Sequence, residues 1–240
     1  MVNLGDPPVI AQVVRNGFVE SAHRGIIVVT RADGSVSYSR GDYTSDILPR
    51  SALKPLQALA MVRCGLDVPS DQLAVACASH SGEPMHLQTV LDLLHGAGLD
   101  ESDLRNTPDL PLMDAQRNAW IAAGRGPSSL AQNCSGKHAA MLATSALNDW
   151  RLDTYLNRGH ATQQAILETI RSLGVRIAWT SIDGCGAPAL AVSLVGLARM
   201  FGTIASATGG AEKEIADAMR SHPELVGGTG RDVTDLMRGV

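Results

Sequence analysis

The chain has 240 residues, a formal net charge of −4, and a composition that is 45% apolar, 18% charged and only 3% aromatic. Mild acidity without clustered Lys and Arg excludes a nucleic-acid-binding surface, and no apolar run is long enough to cross a bilayer. A chain of this length can bury a sizeable core, and here that core must be mostly aliphatic.

The first forty residues read as strands. Val9 to Val14 is apolar, Gly25 to Thr30 is rich in β-branched residues, and Asp33-Gly34 is a hairpin-turn signal ahead of Ser35 to Tyr38. After Pro49 the spacing becomes helical, with Leu53, Leu56 and Ala60 on one face and Gly65 as the stop. A second helix is expected from Pro84, with Leu87, Val90, Leu91 and Leu94 at helical spacing. Asn106 to Pro127 reads as a long surface connection. Helices follow at Lys137 to Trp150 and at His160 to Leu173, then a strand at Val175 to Ile182. Pro188 to Phe201 fits a helix or a buried strand. Ala211 to Arg220 is a helix with Glu212, Glu214 and Asp217 on its wet side. The expectation is one α/β or α+β domain over residues 1–240, without a linker or an internal repeat. No secretory leader is read at the start. Cys64, Cys77, Cys134 and Cys185 are widely spaced, as thiols or metal ligands would be.

Five clusters carry chemical potential. Ser51-Ala-Leu-Lys54 is an S-x-x-K pattern at a helix start, where three residues place hydroxyl and amine on neighbouring sides of one turn. A serine needs a base to become a nucleophile, and lysine serves only when burial or a nearby cation lowers its pKa. A capping serine followed by a solvated lysine produces the same pattern. Ser79-His-Ser-Gly-Glu83-Pro84 lies between two predicted helices; Ser79 offers a second hydroxyl and Glu83 a partner to orient an amine, although a helix cap also explains the segment.

Asn133-Cys-Ser-Gly-Lys-His138 resembles the end of a phosphate loop but fails the pattern, because Ala131 replaces its first glycine and His138 its Ser or Thr. Nucleotide binding is rejected on that ground. Asp183-Gly-Cys-Gly-Ala-Pro188 follows a predicted strand and makes a sharp turn; Cys134 and Cys185 could share a metal as thiolates or remain free thiols. Gly227-Gly-Thr-Gly-Arg231 reads as a flexible loop whose cation can grip a carboxylate.

In this order the clusters resemble the asparaginase II family of the rhizobial type. The resemblance runs through Gly17 to Gly25, Leu48 to Gln57, Ala76 to Pro84, Asn133 to His138, Asp183 to Pro188 and Gly228 to Arg231, nearly the whole chain. It implies a fold like that of serine β-lactamases and glutaminases, a sheet packed with helices, in a homodimeric, cytoplasmic enzyme. It implies that Ser51 and Lys54 form one catalytic pair and that Ser79 is the hydroxyl of a second. It places Arg50, His138, Asp183 and Arg231 near the substrate, L-asparagine, and makes Cys134, Lys137 and Cys185 a zinc site. The family pattern also calls for a lysine beyond the Gly-Thr-Gly-Arg segment, and Asp232 to Val240 contains none. The expectation is therefore a C-terminally shortened copy with impaired turnover. The alternatives are another Ser-Lys amidase, such as a glutaminase, and an inactive zinc-binding remnant. The S-D-N and K-T-G partners of β-lactamases are absent, which lowers β-lactam chemistry.

Overall fold

The computed structural model describes residues 6–239. Its strands form three small antiparallel sheets rather than one. Strands β1 (Val9–Arg15) and β2 (Phe18–Arg24) make the first hairpin, and β3 (Ile27–Thr30) and β4 (Val36–Arg40) the second. The third sheet places β7 (Pro188–Ser193) between β5 (Asp46–Ile47) and β6 (Trp179–Ile182). Strand β2 lies within the forty residues read as strands, although it is exposed throughout and has no buried face to pattern it.

The helices supply most of the core. They are α1 (Lys54–Arg63), α2 (Ser70–Ala76), α3 (Pro84–Gly96), α4 (Asp114–Ala122), α5 (Ser135–Leu147), α6 (Ala161–Ser172), α7 (Leu194–Ala205), α8 (Gly210–Ser221), α9 (Pro223–Val226) and α10 (Asp232–Arg238). Helix α1 is not one-sided as its Leu spacing indicated: every residue from Lys54 to Met61 is buried. It lies among α5, α6 and α8, while α2 packs on α3, α5 and α8. Leu56, Leu59, Leu73, Met141, Leu142 and Ile166 join in one continuous aliphatic core.

Three segments depart from the sequence reading for identifiable reasons. In helix α2 Leu73 to Ala76 are buried outright while Ser70 to Gln72 lie nearer the surface, so no amphipathic period announces it. Helix α4 forms within the expected 106–127 connection, yet none of its residues is buried, so the surface character stands while the absence of structure does not. Pro188 to Phe201 is both of its alternatives in succession: strand β7, then α7, with Ser193 Oγ accepting from Gly196 N at 3.1 Å at the junction.

One close approach sets the position of the later site. Gly136, in the first turn of α5, lies so near the C-terminal part of α2 that a Cβ there would stand 2.2 Å from Val75 O. Gly136→Ala is expected to destabilise the protein by about 2–3 kcal/mol, because the clash exceeds the roughly 1 kcal/mol that alanine gains in a helix. Thermal and urea unfolding would measure it; an equal or raised stability would show that the helices are less closely apposed.

Candidate active site

Five turns converge at one end of the helical core. A 3₁₀ turn over Arg50–Leu53 leads into α1. The others are the segment 77–83 after α2, the turn before α5, the turn joining β6 to β7, and the loop 227–231 between α9 and α10. They are tied to each other by main-chain bonds: His80 N donates to Asn133 O at 3.2 Å, and Ser81 N to Gly227 O at 2.9 Å.

Lys54 lies at the centre. Its side chain is 1% exposed, and Nζ donates to Ala78 O at 2.6 Å and to Asn133 O at 3.2 Å. Burial drives its pKa below the ordinary lysine value, and the nearby Lys137 cation adds to this against the opposing pull of Cys134. The two carbonyl acceptors meet two of the N–H groups of the amine. Among the described residues no hydrogen bond joins Ser51 Oγ to Lys54 Nζ; Ser51 is half-buried in the preceding turn.

Ser79 is also half-buried, and its Oγ accepts from Asn133 Nδ2 at 2.6 Å. Arg231 Nη1 donates to Ser79 O at 2.6 Å and to Gly227 O at 3.4 Å, so this guanidinium is engaged in part by main chain. Glu83 holds the same loop, accepting from Thr229 N at 2.8 Å and from Thr229 Oγ1 at 2.7 Å. Gly228, at φ +143°, has no room for a side chain; a Cβ would stand 1.9 Å from Ser81 Oγ.

Arg50 and Asp183 meet directly, with Nη2 and Nε donating to Asp183 Oδ1 at 2.7 and 2.9 Å. Partial burial pushes the Asp183 carboxyl up, but the Gly184 N–H and the Arg50 guanidinium outweigh it and hold the pKa below the usual carboxylate value. Arg50 has φ +50°, a left-handed conformation that costs a non-glycine residue about 1 kcal/mol and is concentrated at functional sites.

Cys134, Lys137 and Cys185 lie close together. All are buried, and Lys137 Nζ donates to Cys185 Sγ at 3.3 Å. A hydrogen bond from Cys185 holds the Cys134 thiol well below its ordinary range despite burial, and the same bond pushes Cys185 up. Two sulfurs and one amine at a single buried spot form a donor set that fits zinc. Among the described residues no group of three His, Cys, Asp or Glu side chains is placed to hold a metal.

His138 is fully buried; its Nδ1 hydrogen-bonds Tyr155 OH at 2.9 Å, and its Nε2 has no partner. His80 bonds Ser135 Oγ through Nε2 at 2.8 Å and stacks on His86 at 5.1 Å between ring centroids. His86 Nδ1 accepts from Glu83 N, which leaves Nε2 to donate to Glu224 O. Sequence reasoning did not single out Asn133, His80 or Tyr155. Asn133 and His80 lay inside clusters already marked, whereas Tyr155 carries no local signal.

The family model of L-asparaginase II matches residues 11–240. The chain belongs to that family. No curated protein matches it. Family membership implies hydrolase chemistry in general, and the convergence of Lys54, Ser79, Arg231 and the Cys134–Cys185 pair shows where the chain gathers its reactive groups. No helix among the described residues is long and apolar enough to cross a membrane.

The buried histidines predict a pH dependence. Burial lowers the folded pKa of His80, His86 and His138 below 6.5. As pH falls through about 6.5 the unfolded chain takes up protons that the folded chain refuses, so stability is retained above that pH and lost below it. At pH 5.5 each histidine that stays neutral should cost about 1.4 kcal/mol. Urea unfolding at pH 7 and pH 5.5 measures the loss, and His80→Gln should remove one share of it. A pH-independent stability across this range would contradict the assignment.

Proposed function

We propose that the chain is an L-asparagine amidohydrolase that releases aspartate and ammonia through a serine acyl-enzyme. The observation that carries this reading is the Lys54 amine, buried, lowered in pKa and held by the carbonyls of Ala78 and Asn133, in a chain of the L-asparaginase II family. A neutral lysine at that position is a base that needs no histidine.

In this mechanism Lys54 takes the Ser51 proton, and Ser51 Oγ attacks the side-chain amide carbon of asparagine. Lys54 returns the proton to the amide nitrogen as the carbon–nitrogen bond breaks, and ammonia leaves. A water, deprotonated by Lys54, then attacks the ester. Aspartate departs and Ser51 recovers its proton. Ser79 supplies the second hydroxyl. Arg50 grips the substrate α-carboxylate with the face of its guanidinium turned from Asp183, and Arg231 adds positive charge across the site. Asp183 receives the substrate ammonium, and His138 lines the buried side. The placement of this pair at the start of a buried helix supports the serine β-lactamase-like and glutaminase-like fold implied by the sequence.

Zinc is part of the proposal. Cys134, Lys137 and Cys185 would hold it, and the ion when bound supplies a fixed positive charge and Lewis acidity beside the site. As a ligand Lys137 would not be free to move protons, and Lys54 carries the proton transfers.

Ser51→Ala is expected to lower ammonia release from L-asparagine by at least about a thousandfold without loss of fold. Undiminished release would remove Ser51 from its role. Glutamine and a chromogenic β-lactam tested in parallel distinguish asparagine specificity from general acyl transfer. Zinc analysis of the same preparations should find the metal in wild type and Ser51→Ala but not in Cys134→Ala; equal zinc in all three would exclude this ligand set.

A further inference from the structure

We propose that Asn133 is a positioning residue that fixes the Ser79 hydroxyl and the Lys54 amine relative to each other. This inference rests on the reading of the site as a hydrolytic centre in which Ser79 is a working hydroxyl. Asn133 touches both groups with different atoms. Its side-chain Nδ2 donates to Ser79 Oγ at 2.6 Å, and its main-chain carbonyl accepts from Lys54 Nζ at 3.2 Å. The same carbonyl accepts from His80 N, and its Oδ1 faces the Cys134 thiol at 3.8 Å. Its side-chain donor and its main-chain carbonyl therefore both face the candidate site, and these bonds define the side chain's orientation.

The chemical consequence follows from who donates. A serine oxygen that accepts an N–H must direct its own O–H elsewhere, toward the open side of the site. When Lys54, held by the Asn133 carbonyl, takes that proton, the electron pair stays on Oγ, and the Asn133 N–H becomes a hydrogen bond to a developing anion, the stronger kind. Arg231 holds the other end of the same residue through Ser79 O at 2.6 Å. Ser79 is thus fixed at both its main chain and its hydroxyl before substrate arrives, and Asn133 links that arrangement to Lys54. The acceptor face offered by an aspartate would reverse it: the hydroxyl would turn back to donate to the carboxylate.

The test uses the whole chain and two readouts. A fluorophosphonate probe reports serine reactivity, with the labelled residue located by peptide mass spectrometry; ammonia release from L-asparagine reports turnover. Asn133→Asp is the deciding variant because it keeps the side-chain volume and removes the donor, and Asn133→Ala is its companion. The expected result for Asn133→Asp is a fall in Ser79 labelling of about tenfold or more, the scale of one charge-assisted hydrogen bond. Labelling at Ser51 and the thermal unfolding midpoint should stay near wild type, and kcat should fall while KM does not. Wild-type labelling of Ser79 in Asn133→Asp, or no labelling of Ser79 in the wild type, would overturn the proposal. Asn133-dependent labelling in a wild type that releases no ammonia would refute the asparaginase reading and support this one.

Discussion

An amine buried in an aliphatic core is the constraint on which the rest of this structure depends. Lys54 begins helix α1 with its side chain almost wholly out of water. A charge taken from water without compensation costs several kcal/mol, so such a group must find partners or lose its proton. Its partners are carbonyls, Ala78 O after α2 and Asn133 O before α5. The close approach of Gly136 to Val75 makes this possible, because it lets the start of α5 sit against the end of α2. Core packing and chemistry are therefore one arrangement: the contact that closes the helical interior also delivers Asn133 and Cys134 to the lysine.

Around that amine the site is rich in cations. Lys137 lies beside it and Arg50 and Arg231 stand on the neighbouring turns, and the acceptors that face these groups are Asp183, main-chain carbonyls and the Cys134–Cys185 pair. The lowered pKa of Lys54 comes first from burial, whereas the displaced thiols owe their shifts first to the bond between Cys134 and Cys185. The left-handed backbone of Arg50 belongs to this economy, since it turns the guanidinium onto Asp183 at a small conformational cost.

The sequence disclosed the parts of this centre more readily than their assembly. The S-x-x-K spacing exposed Ser51 and Lys54, and the glycine-bearing clusters marked every turn that reaches the site. Spacing could not show that Lys54 bonds main-chain carbonyls, because a carbonyl has no side-chain signature. It could not show that Arg231 turns to Ser79 O, since a loop arginine has many partners within reach. Helices with one wet face, such as α3, were readable from periodicity, whereas the inner half of α2, Leu73 to Ala76, is buried outright and shows no such period. The strands were visible in the hydrophobic pattern, but their division into three sheets depends on long-range pairing such as Ile47 with Val192.

The account rests on Lys54 as the base of a hydrolytic centre, and Lys54→Met tests it most directly. Methionine keeps the length and bulk of the buried side chain and removes only the amine. Ammonia release from L-asparagine, measured beside thermal unfolding, should fall by about a thousandfold or more while the protein remains folded. A folded Lys54→Met protein that hydrolyses asparagine at the wild-type rate would contradict the account.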